Sequence, residues 1–148
     1  MYAEFLRGQG FAVTEVDSTD AGLSAAPEAD LIITGIRLAG SFDGIELVRR
    51  IRGDARTKHT PVIVLTACAF EPDQARAFAA GCDLFVPKPC LPEDLLQQAA
   101  DLIRRATQIR ARAHDARAQG ATKLRLAKAL IERSADLAKP KRQRAKRR

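Results

Sequence analysis

At 148 residues, 46% hydrophobic and 29% charged, the chain suits one domain of roughly 100–150 residues with an appendage. No apolar run approaches the roughly 20 residues of a bilayer span, which excludes a transmembrane helix, and Met1-Tyr2-Ala3-Glu4 has neither the basic start nor the apolar core of a secretory signal. The net charge of +7 is unevenly placed: residues 1–100 hold nine Lys/Arg against fourteen Asp/Glu, and residues 101–148 hold sixteen against four, which implies an acidic folded module carrying a basic arm.

Tyr2 to Gly8 reads as the last turns of a helix, with Gly8 or Gly10 as its stop. Phe11-Ala12-Val13-Thr14-Glu15-Val16 alternates and predicts a strand. Ser18 or Thr19 caps a short helix through Ala26, and Pro27 ends it. The run Asp30 to Leu38, apolar through Ile33 and closed by Gly35, predicts a strand over 30–35 buried on both faces in the middle of a parallel sheet. Asp43-Gly44 reads as a turn or cap, after which Ile45, Leu47, Val48 and Ile51 give the helical spacing of a segment ending near Gly53. Pro61 to Thr66 is a fully apolar strand, Glu71 to Ala80 a helix stopped by Gly81, and Asp83 to Val86 a last strand closed by Pro87-Lys88-Pro89. Pro92 opens a helix with a stripe of Leu95, Leu96, Ala99, Leu102 and Ile103. Strands alternating with helices in this way predict an α/β doubly wound parallel sheet with helices on both faces.

Beyond Ala106 the composition becomes Arg- and Ala-rich. A break is expected at Gly120, then a second amphipathic segment with Leu124, Ala127, Leu130, Ile131 and Leu137 on one face. The divisions are therefore 1–106, a helical extension over 107–138, and a disordered basic tail over 139–148. Cys68, Cys82 and Cys90 lack Cys-x-x-Cys spacing and suit buried thiols in a reducing cytoplasm rather than a disulfide frame or zinc site. His59 and His114 lie far apart and read as surface residues.

Four stretches, in order and spacing, resemble the receiver domain of two-component response regulators over about residues 1–106. They are Asp30-Leu-Ile-Ile-Thr-Gly-Ile-Arg-Leu38, Asp43-Gly-Ile-Glu-Leu47, Pro61-Val-Ile-Val-Leu-Thr-Ala67 and Gly81-Cys-Asp-Leu-Phe-Val-Pro-Lys-Pro89. The resemblance implies a flavodoxin-like fold in which an aspartate takes a phosphoryl group from a histidine kinase, assisted by Mg²⁺ held on an acidic pair. By the same resemblance Thr66 matches the hydroxyl residue and Ala67 the small residue after it. Lys88 matches the lysine, and Phe85 the switch aromatic, without the hydroxyl of a tyrosine. Pro89 would follow a cis peptide.

Two departures shape the expected function. The phosphoacceptor position is Gly35, with no acid within two residues on either side. The family's first strand and its acidic pair have no counterpart, so the fold is receiver-like with the first strand missing and the Mg²⁺ site is predicted lost. In a 2-1-3-4-5 sheet that strand would lie between 11–16 and 30–35. Its loss predicts poor folding unless 11–16 shifts over to pair with 30–35, and points to a start codon set too late or a decaying gene.

The reading is a cytoplasmic receiver-like domain in phosphorelay signal transduction, not an enzyme, with no catalytic residue, cofactor or metal. It would act through a protein partner or homodimer on the face of 71–80, 83–87 and 92–106. The alternatives are a non-functional truncated receiver, or a small nucleic-acid-associated protein using the basic arm. For the arm, three readings stay open: a solvated tail, attraction to a membrane surface or acidic protein, and weak nucleic-acid contacts by Lys139, Lys141, Arg142, Arg144, Lys146, Arg147 and Arg148. Against nucleic acid stands the lack of stacking aromatics; against a membrane surface, the absence of Trp or Phe on the apolar face.

Overall fold

The computed structural model describes residues 1–67 and 69–138. The central element is β2 (Val62–Thr66), in which every residue is buried. It pairs in parallel with β1 (Ile32–Thr34) on one side and β3 (Leu84–Pro87) on the other, giving the order β1-β2-β3. Successive side chains of a strand point to opposite faces, and β2 shows the consequence. Val62 and Val64 pack with Ile45, Val48 and Ile51 and with Ala77 and Ala80, forming one core. Ile63 and Leu65 pack on the other face with Leu95 and Ala99.

The helices of the first core are α2 (Thr19–Ala25), α3 (Gly44–Gly53) and α4 (Glu71–Ala80); those of the second are α1 (Tyr2–Gly8) and α5, which begins at Pro92. Local chemistry sets their ends. The Ser18 hydroxyl accepts from the Ala21 N–H and the Asp43 carboxylate from the Glu46 N–H, so both side chains satisfy donors that a helix N-terminus leaves open. Gly81 closes α4 at φ 105°, a left-handed conformation that costs glycine nothing.

Three expectations are corrected. Residues 11–16 form no strand and do not shift over to β1. Phe11 and Val13 are half-buried between exposed neighbours, so the alternation is real. Three polar groups of the segment turn to α1 instead: the Phe11 N–H donates to the Leu6 carbonyl at 3.2 Å, and the Arg7 guanidinium donates to the Val13 carbonyl at 3.0 Å and pairs with Glu15 at 2.9 Å. Second, β1 is a short edge strand and not a central one. Ile32 is half-buried, Ile33 is 36% exposed, and only Thr34 is fully enclosed.

Third, α5 runs unbroken from Pro92 to Leu137, straight through Gly120. Glycine costs a helix only about 1 kcal/mol relative to alanine, and the Ala-rich surroundings carry the helix across it. The chain divides into two compact units, the first Met1–Thr107 and the second beginning at Gln108. Among the described residues no helix is long and apolar enough to cross a membrane.

Candidate functional site

In an open parallel sheet, chemistry collects beyond the carboxyl ends of the strands. Here those ends are Thr34, Thr66 and Pro87 on three successive neighbours, with Thr66 directly paired to Pro87. The residues just past them are Gly35, Ala67 and Lys88. The fold thus brings Gly35, Thr66, Ala67 and Lys88 to one edge of the sheet. Thr66 is buried, Ala67 and Lys88 are exposed, and the Lys88 N–H donates to the Thr66 carbonyl at 2.8 Å, which locks the two strand ends together.

The Gly35 corner is built from backbone. Its carbonyl accepts from the Thr34 hydroxyl at 3.1 Å, and the Gly44 N–H donates to the Ile36 carbonyl at 2.9 Å. A Cβ on Gly44 would run into the Gly35 carbonyl oxygen, so the start of α3 sits here only because Gly44 has no side chain. Gly35 differs. Its φ is not positive, and a Cβ there would meet the Leu38 Cδ2 at 3.3 Å and the Leu65 carbonyl oxygen at 3.7 Å. An aliphatic side chain, Leu38, therefore lies where a longer residue at position 35 would reach. Asp43, adjacent to Gly44, has its carboxylate committed twice: it caps α3 through the Glu46 N–H at 2.8 Å and faces Arg76 of α4 at 3.6 Å.

The Lys88 ammonium lies over the ring of Tyr2, 5.7 Å from its centroid, at the outer reach of a cation–π contact. The Tyr2 hydroxyl donates to the Cys90 carbonyl at 2.8 Å, and burial together with the Cys90 side chain raises its pKa above the ordinary value. The Lys88–Pro89 peptide is cis. Phe85, half-buried, packs inward against the core of α2, α3 and α4. Cys82 is a buried thiol pushed up to about 11, chiefly by desolvation, which leaves negligible thiolate at neutral pH. On the loop that follows Gly35, the Ser41 N–H donates to the Asp20 carboxylate at 2.8 Å and holds its pKa below the usual range.

A magnesium ion takes oxygen ligands, with carboxylates among them. This edge offers a hydroxyl, an ammonium and backbone carbonyls, and among the described residues no group of three or more His, Cys, Asp or Glu is placed to hold a metal. Cys68 and the tail cations Lys139, Lys141, Arg142, Arg144, Lys146, Arg147 and Arg148 lie outside the described residues.

Sequence reading did not find Tyr2 beneath Lys88, Leu38 beside Gly35, or the role of Gly44. It also missed Arg52, which donates to the carbonyls of Gly81 at 2.8 Å and Thr60 at 2.7 Å and to Asp83 at 2.7 Å. Asp83 in turn accepts from the Val62 N–H at 2.7 Å. Only the Asp43-Gly44 pair carried a local signal, a capping residue followed by a glycine in a helix.

The response regulator receiver domain family matches residues 1–100. The transcriptional regulatory protein ResD of Bacillus subtilis is 35% identical over 106 residues, covering 70% of this chain and 42% of that protein. The phosphate regulon transcriptional regulatory protein PhoB of Rhizobium meliloti is 35% identical over 103 residues, covering 68% of this chain and 45% of that protein. The chain thus spans less than half the length of these curated relatives. Among solved structures, the receiver domain of sensor histidine kinase PA1611 from Pseudomonas aeruginosa, which holds a magnesium ion in its active-site cleft, superimposes with a TM-score of 0.61 at 28% identity over 68% of this chain and 83% of that one. Vibrio cholerae chemotaxis protein CheY4 gives 0.61 at 25% identity over 68% and 84%.

Proposed function

The chain belongs to the response regulator receiver domain family and carries a receiver domain of two-component signalling; from that premise we propose that it takes no phosphoryl group and signals through protein contacts alone. The observation that carries the proposal is Gly35 at the end of β1, the position that the resemblance assigns to the phosphoacceptor. Glycine offers no nucleophile. Asp43, at the start of α3, is held by the α3 cap and by Arg76. Among the described residues no carboxylate set for Mg²⁺ stands at the edge, and no anionic partner there meets the positive charge of Lys88. No catalytic activity follows from such a site, and the protein works in the cytoplasm as a contact module.

The contact surface is the face of α4, β3 and the first turns of α5, residues 71–106. It has an open cleft of about 580 Å³ lined by Val86, Pro87, Leu91, Asp94 and Gln98 among others. Phe78 and Leu91 are 46% and 64% exposed there. A partner or a second copy of this domain fits this face.

The test is direct. Incubated with Mg²⁺ and acetyl phosphate, the intact protein is expected to show no acyl phosphate by mass spectrometry, while a Leu91→Asp variant loses partner or self-association without change in melting temperature. A hydroxylamine-labile phosphate on any aspartate would refute the proposal.

A further inference from the structure

The second unit poses a different problem: its helix exposes an apolar face. Leu124, Leu126, Leu130, Ile131 and Leu137 are each between 58% and 80% exposed. With about 100° of turn per residue they fall on one arc of about 160°. A face this wide and this aliphatic is unusual on a surface helix in water. The rest of the circumference over 121–138 carries Arg125, Lys128 and Arg133 with Glu132 and Asp136. The sequence then continues into seven Lys/Arg in the ten residues 139–148, with no apolar residue larger than Ala145.

Three occupants would cover such a face: a second copy, nucleic acid or an anionic membrane surface. Self-pairing is opposed by charge. The cations Lys128 and Arg133 border the arc on its two sides, so two copies would bring like charges together. Lys123 lies inside the arc, where a dimer seam would bury its ammonium without a partner. Nucleic acid would use the cations and leave the five aliphatic side chains in water. No aromatic residue is present in 108–148 to stack on bases.

A membrane surface uses both features at once, with leucine and isoleucine as the inserted side chains in place of the Trp or Phe this face lacks. The aliphatic arc enters the boundary between headgroups and acyl chains, the flanking cations meet anionic headgroups, and Lys123 extends its stem along the apolar face with its ammonium at the headgroup level. The basic run adds diffuse attraction to the same layer, which requires no shaped pocket. We infer that residues 121–138 dock the protein in the plane of a membrane surface rich in anionic phospholipid. The inference is independent of whether the receiver unit accepts phosphate.

The experiment is co-sedimentation of the full chain with vesicles of phosphatidylcholine alone and of phosphatidylcholine containing one third phosphatidylglycerol. Binding to the anionic vesicles is expected to exceed binding to the neutral ones by about tenfold or more, and to weaken as salt is raised. The double variant Leu126→Asp, Leu130→Asp is expected to lose most of that binding while the first unit keeps its melting temperature. Lys128→Gln with Arg133→Gln, which preserves the apolar arc, is expected to lose severalfold. Equal binding to both vesicle types, or full binding by the Leu→Asp variant, would overturn the inference. So would sedimentation equilibrium showing a dimer that depends on Leu126 and Leu130 in a protein that ignores vesicles, or duplex DNA that displaces the protein fully from anionic vesicles at equal charge concentration.

Discussion

Replacing Gly35 by alanine tests whether the glycine is there for the backbone or only lacks a side chain. The φ at Gly35 is not positive, so an L-residue adopts the same conformation. The added Cβ would find the Leu65 carbonyl oxygen at 3.7 Å, an ordinary contact, and the Leu38 Cδ2 at 3.3 Å, a tight one. Leu38 is 43% exposed and its terminal methyl can retreat by a few tenths of an ångström. The unfolded chain meanwhile loses glycine's conformational freedom, a gain for the folded state of about 0.4–1 kcal/mol. Allowing for the Leu38 adjustment, Gly35→Ala should raise stability by about 0.5 kcal/mol. Urea denaturation followed by far-ultraviolet circular dichroism should show a higher midpoint with an unchanged slope. A loss of more than about 1 kcal/mol would refute the reasoning, because it would mean that the corner needs a glycine. Gly35→Asp shares the backbone argument and is expected to fold. With Mg²⁺ and acetyl phosphate it should still show no acyl phosphate, and a labelled Gly35→Asp chain would show that the metal is held after all.

Gly44→Ala makes the opposite prediction at the neighbouring residue. Its Cβ meets the Gly35 carbonyl, fixed backbone on both sides, so a destabilisation of about 3 kcal/mol or more is expected in the same urea assay. Arg52→Met keeps the aliphatic stem but strips donors from the carbonyls of Gly81 and Thr60 and from Asp83, and should cost about 2–4 kcal/mol by thermal or urea unfolding; a loss below about 0.5 kcal/mol would show the cluster to be solvated. Asp20, held low by the Ser41 N–H, Glu46, held low by Arg50 and Arg49, and Asp54, held low by Arg56, all titrate below their ordinary values in the folded state. The unfolded chain therefore binds protons first as the pH falls. Their stabilisation is complete above the ordinary carboxylate value of about 4 and disappears as the pH drops through the lower folded values. Unfolding midpoints should decline in that window, with a smaller decline in Asp20→Asn, and a flat profile would contradict the assignment.

Much of this protein is legible from local sequence. The run Pro61 to Thr66 announced β2 because both its faces are buried and Val62 to Leu65 had to be apolar. Helix α4 falls on Glu71–Ala80 because acids open it and Gly81 alone tolerates the left-handed turn that closes it. Both helix starts were legible because a cap acts within three residues, although the sequence left Ser18 or Thr19 open for α2 and a turn or cap at Asp43-Gly44, and the structure selects Ser18 and Asp43. The edge that gathers Gly35, Thr66 and Lys88 was also readable, since a parallel sheet places successive strand ends side by side.

What tertiary structure alone decided involves partners distant in the chain. The alternation of residues 11–16 is genuine, yet a strand exists only where a ladder partner completes its hydrogen bonds, and here the Phe11 N–H and the Val13 carbonyl turn to α1. A short-range rule stopped a helix at Gly120, whereas cooperative propagation through the alanines on either side carried it to Leu137. Tyr2 beneath Lys88, Gly44 against Gly35 and Arg52 bound to Gly81 are pairings that no sequence window contains. Local chemistry set the elements and their caps; the packing of one element on another determined which groups meet at the sheet edge.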